Sequence, residues 1–182
     1  SDYTKALEKN PYTIFIDALN EAGEPSTNEM FGRITNSLDE IGSEKYVTTN
    51  ILQDALKLTE LEFDKPRRND KYLQHIIYVL NTIIGEFLEK YNYDLKEARK
   101  MTILFEPNIY IGLIAIAKEL LDRPNKKELL DEMLNNGTLD LNRDKEIWAE
   151  TEMLKRNPKS YKKIYNYFKE IVELNDAEKG GE

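Results

Sequence analysis

The chain has no cysteine, one histidine, one tryptophan and no long uncharged apolar run. Without cysteine there are no disulfides, no thiolate zinc site and no thiol nucleophile, which suits a reducing compartment and predicts a cytoplasmic protein. The longest apolar run, Ile109–Ala117, is too short to span a bilayer. The N-terminus, SDYTKALEKN, has neither the basic nor the apolar region of a signal peptide. It also lacks an initiator Met, and a piece cut from a longer protein is expected. No Gly-rich phosphate loop or Gly-Lys-Ser/Thr string occurs, so nucleotide hydrolysis is not expected. Cations are outnumbered, at 26 Lys and Arg against 34 Asp and Glu, and a net charge of −8 opposes non-specific polyanion binding by the chain as a whole.

What is present is helical periodicity. Between Asp70 and Tyr91, Leu73, Ile76, Ile77, Leu80, Ile83, Ile84, Phe87, Leu88 and Tyr91 share one face of a helix. Gln74, Tyr78, Asn81, Thr82, Gly85 and Glu89 fall on the other. Ile109–Leu121 is apolar nearly all round and must be surrounded, so it belongs at the centre of a helical domain. Asn10-Pro11 predicts the start of a helix with Ile14, Phe15, Ala18 and Leu19 inward. Met30–Ile34 and Tyr46–Thr48 predict a small two-stranded β element near residues 30–48, as a hairpin or two extended pieces.

Thr49 or Asn50, with Gln53, predicts a cap for the next helix; Lys65–Asn69 reads as a loop and Asp70 as the cap of the long helix. A short helix is expected over Leu95–Met101. Asn125 with Glu128 predicts a further cap, and Gly137 a stop. A helix holding Ile147, Trp148, Met153 and Leu154 should follow, and then a last one from Pro158 with Tyr161, Ile164, Tyr165, Phe168, Ile171 and Val172 inward. The fold class is therefore mostly α, a single multi-helix domain over 1–174 around a buried central helix. Residues 123–174 pack on 1–122, and 175–182 form a disordered tail.

Candidate chemistry is thin. His75 projects on the polar side of its helix and reads as a surface or rim residue. Tyr72 stands where a di-iron Glu-x-x-His motif needs glutamate. Asp140, Asn142 and Asp144 have calcium-loop spacing, but Lys145 replaces the turn glycine and Thr151 the bidentate glutamate. No catalytic residue, metal ligand or cofactor site is assigned, and the chain is not expected to be an enzyme. The remaining signal is cationic. Lys155, Arg156, Lys159, Lys162, Lys163 and Lys169 crowd the start of the last helix, with Arg67 and Arg68 as a smaller cluster. They are candidates for contact with a nucleic-acid backbone or a partner, against their plainer reading as a solvated face. Tyr78, opposite the apolar stripe, predicts a second covered surface and so a partner or adjacent domain.

Three segments carry a resemblance. Asn28-Glu29-Met30-Phe31-Gly32-Arg33-Ile34 is similar to an aromatic–Gly–basic–Ile piece. Tyr78-Val79-Leu80-Asn81-Thr82-Ile83-Ile84 resembles a long asparagine-containing helix, and Met101–Phe105 with Ile109–Leu121 a closing apolar helix. In this order, over Asn10 to Asp122, they resemble the C-terminal part of DGQHR-domain proteins, which include DndB-like regulators of DNA phosphorothioation. The Asp-Gly-Gln-His-Arg string that names the family is absent; in the family it lies N-terminal to this region. No functional residue therefore carries over, and residues 123–182 have no counterpart. The resemblance implies a non-catalytic helical C-terminal domain of a bacterial DNA-modification or defence protein, positioning a DNA-related domain or docking partners. The alternatives are an autonomous helical protein–protein interaction domain without nucleic-acid contact, and a hydrolase whose carboxylates meet only in three dimensions.

Overall fold

The computed structural model describes residues 10–42, 44–149 and 152–180. The chain runs α1 (Pro11–Glu21), β1 (Ile34–Thr35), β2 (Val47–Thr48), α2 (Thr49–Leu58), α3 (Pro66–Lys90), α4 (Leu95–Met101), α5 (Ile109–Leu120), α6 (Lys126–Asn135) and α7 (Pro158–Gly180). It is mostly α, as its periodicity predicts, and one contiguous core runs from Phe15 to Val172. No described helix is long and apolar enough to cross a membrane.

The centre is α5. Every residue from Ile109 to Ala117 is buried, so this stretch has no solvent face; only Lys118 and Glu119 near the end of α5 are half-exposed. Its most extensive neighbour is α7, followed by α2 and α3. The close approach to α7 depends on Gly112: a Cβ built there would lie 2.0 Å from Cδ2 of Phe168. The Phe168 ring therefore rests directly on the α5 backbone. Trp148 stacks on its other side, with centroids 6.0 Å apart and planes 17° from parallel.

Local signals place the other elements. Asn10 Oδ1 accepts the Thr13 amide at 2.9 Å and Pro11 begins α1 with φ already helical. The inward residues of α1 are Phe15, Ile16 and Leu19; Ile14 is instead exposed. Pro66 likewise begins α3, so the expected loop before Asp70 is its first turn, and Asp70 does not cap it. The α2 cap is Thr48, whose hydroxyl accepts the Ile51 amide at 3.3 Å, one residue earlier than expected. Asp94 caps α4 by accepting from Lys96 and Glu97.

Four further expectations are corrected. β1 and β2 pair in parallel, Ile34 with Val47 and Thr35 with Thr48, and so do not form a hairpin. All four residues are buried, and a strand pair covered on both faces has no need of the alternating pattern of a hairpin. Asn125 makes no cap bond to α6; its amide reaches Asp176 on α7. In place of the expected helix, the described residues here form two 3-10 turns, Glu146–Trp148 and Glu152–Leu154. Trp148 dictates this, because its indole N–H donates to Asp140 O at 2.8 Å while its ring lies on Phe168. Finally, the expected tail from 175 continues α7 as far as Gly180. Asn175 is buried and bonded to Asn136 and Thr138, and Asp176 pairs with Arg123. Residues 181–182 lie outside the described residues.

The turn after α1 is held by one side chain. Asn28 is buried; its amide donates to Leu19 O at 2.7 Å and Ala22 O at 3.0 Å, and its oxygen accepts the Met30 amide at 2.9 Å. Two carbonyls at the end of α1 have no better donor. Asn28→Ala should lower unfolding free energy by about 2–3 kcal/mol in urea titration, since it strands buried polar groups. A loss under about 1 kcal/mol would contradict this role.

Candidate partner-binding site: the cationic faces of α7

Asn157 and Pro158 start α7, with Asn157 Oδ1 accepting the Ser160 amide at 2.9 Å. That start sets the helix phase. Ser160, Ile164, Tyr165, Phe168, Ile171 and Val172 turn inward, and Lys155, Arg156, Lys159, Lys162 and Lys163 are exposed, with Lys169 half-buried.

These cations spread over two adjoining faces of α7 and the turn before it. Lys155 bonds Glu152 at 2.8 Å and, with Lys163 and Lys159 adding their charge, holds that exposed carboxyl below its ordinary range. Lys155 before α7, and Lys159 and Lys163 on its first turns, thus bring positive charge near Glu152. Lys162 and Lys169 lie on the adjoining face of α7 and line an open groove of 320 Å³ between the end of α2, the end of α5 and α7. Lys118, Glu60, Glu119 and Tyr165 also line it. Burial, with the nearby Glu119 and Glu60 carboxylates, pushes the Tyr165 hydroxyl up to about 12. A second hollow, of 250 Å³, adjoins the groove through Leu58 and Lys162 and is lined by Asp54, Lys57, Pro158 and Tyr161. Arg67 is exposed at the start of α3, and Arg68 pairs with Glu62 at 3.3 Å. No described contact brings either arginine to α7.

Sequence reasoning missed two polar clusters. In the first, His75 is buried, against expectation, with Nε2 2.6 Å from Ala117 O. The α5 helix ends there: the Leu121 amide turns to Lys118 O, and His75 supplies the donor that Ala117 O lacks. Lys126 Nζ approaches Nδ1 at 3.5 Å, which requires Nδ1 to be the unprotonated acceptor. Lys126 also lies over the Tyr78 ring, 5.5 Å from its centroid. The expected cover over Tyr78 is thus α6 of this same chain. Only the neighbours of α5 and α6 could have revealed this, because a single-helix projection puts His75 and Tyr78 on the polar side.

In the second, Glu29 accepts a hydrogen bond from Tyr93 at 3.0 Å, and burial raises its pKa despite that bond and the nearby Arg33. Asn92 and Tyr93 both adopt left-handed backbone, φ 54° and 57°, which costs strain and aims the Tyr93 hydroxyl at Glu29. The calcium-like spacing resolves into a turn. Asp140 accepts from the Asn142 amide at 2.9 Å, and Asn142 in turn accepts from Tyr91 at 3.1 Å. Thr151 lies outside the described residues.

Comparison with protein-family models, with curated proteins and with solved structures yields no match for this chain.

Burial holds the His75 pKa below its ordinary 6.5, the Ala117 bond opposing and Lys126 reinforcing. Above 6.5 the ring is neutral folded and unfolded, and its contribution is complete. As pH falls, the unfolded chain takes the proton first, so stability declines until the lowered folded pKa is passed. His75→Gln keeps a donor but cannot titrate. The stability difference between wild type and this variant should therefore shrink from pH 7.5 to pH 5, by up to about 1.4 kcal/mol per pH unit in denaturant titrations. A difference independent of pH would contradict the buried neutral assignment.

Proposed function

We propose that this chain is a non-catalytic, cytoplasmic helical domain of a bacterial DGQHR/DndB-like protein that positions a DNA-related domain or docks its partners. The family part is supported by a contact between two of the resembling segments. Asn81 of α3 accepts the Glu29 amide at 2.8 Å and donates to Thr27 O at 2.9 Å, tying the long helix to the 28–34 piece. The third segment packs against the second, Ile84 meeting Leu104, Phe105 and Tyr110 around one small cavity.

The docking part rests on one observation: Lys155 pairs with Glu152, and the exposed Lys159 and Lys163 at the start of α7 add positive charge near it. Glu152 is the only anion this cluster holds among the described residues, and its exposed pair with Lys155 is weak and easily exchanged for a phosphate. The partner chemistry is a polyanion backbone. A helical interaction domain without nucleic-acid contact is the competing reading, favoured by the net charge of −8.

Fluorescence anisotropy with duplex DNA over a salt series separates the two. Engagement of the three lysines predicts a log Kd against log salt slope near 3, from about 0.9 counterions released per phosphate neutralised. Lys155→Glu, Lys159→Glu and Lys163→Glu combined should abolish binding. Undetectable binding at low salt would overturn the DNA contact and leave the protein-docking reading.

A further inference from the structure

We propose that the groove between α2, α5 and α7 is a site for a small phosphate monoester whose other end is partly apolar. It is distinct from the Glu152 cluster and does not depend on the polyanion reading. Lys118, Lys162 and Lys169 reach it from two helices, and none has an ion-pair partner among the described residues. In a chain with eight more acids than bases, three unpaired ammonium groups on one groove are a local excess of positive charge. Lys162 and Lys169 stand two helical turns apart, about 10 Å along α7, which flexible lysine stems close easily around one phosphate.

The acids present offset only part of this, Arg123 being shared between Glu119 and Asp176. Glu119 has a side chain 14% exposed and faces Arg123, which bonds both its carboxylate, at 3.4 Å, and its carbonyl, at 2.8 Å. Glu60 sits just past α2 in left-handed backbone, φ 60°, and makes no ion pair among the described residues. It is left free to accept from a ligand hydroxyl. Tyr165 and Asn166 add donors at the wall, and neither has a side-chain hydrogen bond among the described residues.

The neighbouring hollow supplies the second half. It shares Leu58 and Lys162 with the groove and continues over the Pro158 and Tyr161 rings, where a flat apolar group would lie. At 320 Å³ the groove is at the small end of the range for ligand sites, and the hollow extends it. A phosphate held by the lysines with an apolar ring on Tyr161 uses both.

Amide-detected NMR titration of the full chain with AMP, inorganic phosphate and adenosine tests this. AMP should shift resonances of residues 58–60, 118–119 and 161–169. It should bind at least about tenfold more tightly than either fragment. Lys162→Glu or Lys169→Glu should weaken AMP about tenfold or more, and Tyr161→Ala should weaken AMP while leaving phosphate unchanged. Neutralising Lys155, Lys159 and Lys163 together to Gln should weaken AMP less than Lys162→Glu or Lys169→Glu alone, separating this site from the DNA-contact surface. No shifts at about 5 mM AMP would overturn the proposal. So would phosphate binding as tightly as AMP, or the triple neutralisation to Gln weakening AMP as much as Lys162→Glu does.

Discussion

The structure depends on one close approach: the Phe168 ring of α7 lying on the bare backbone of α5 at Gly112. A helix with no exposed residue from Ile109 to Ala117 has no water-facing side on which to place a misfit. Each neighbour must follow its surface at packing distance, because voids forfeit dispersion and overlaps cannot be relieved outward. Gly112 removes the one Cβ that would hold α7 away. Phe168 fills the space, and Trp148 closes over it, held in turn by Asp140. The path of the chain from residue 140 to the end of α7 follows from this aromatic stack.

Both ends of α5 show the cost of full burial and how it is met. A buried helix must find partners for terminal groups that water would otherwise satisfy. At its C-terminal end, Ala117 O takes the His75 ring. At its N-terminal end, Asn108 turns away from capping and donates to Met153 O at 3.0 Å and Lys155 O at 2.6 Å. That second contact fixes the turn from which α7 departs, and so sets which lysines lie near Glu152 and which line the groove. The cationic surfaces are therefore a consequence of how the central helix is enclosed.

What was legible in the sequence follows from this division. The position of α5, the broad face of α3, and the Asn-Pro starts of α1 and α7 are local or periodic signals, and each is found where periodicity places it. His75, Tyr78 and the Trp148 turns were not legible, because their environment comes from helices distant in the chain. The candidate lysines were recognisable as a group from spacing alone. That Lys162 and Lys169 line a groove was not, since it depends on where α2 and the end of α5 lie against α7. Lys118 and Glu60, which complete the groove, carry no signal in a linear reading. The Glu29–Tyr93 pair was likewise hidden by a sequence separation of 64.

A double-mutant cycle at Gly112 and Phe168, followed by urea unfolding, tests the central contact directly. In the wild-type background Gly112→Ala forces a methyl into the ring and should cost about 1–3 kcal/mol, although alanine favours the helix by about 1 kcal/mol. In a Phe168→Ala background the ring is gone, and the same substitution should be neutral or stabilising by up to about 1 kcal/mol. An equal destabilisation in both backgrounds would show that Gly112 serves something other than the seat of Phe168.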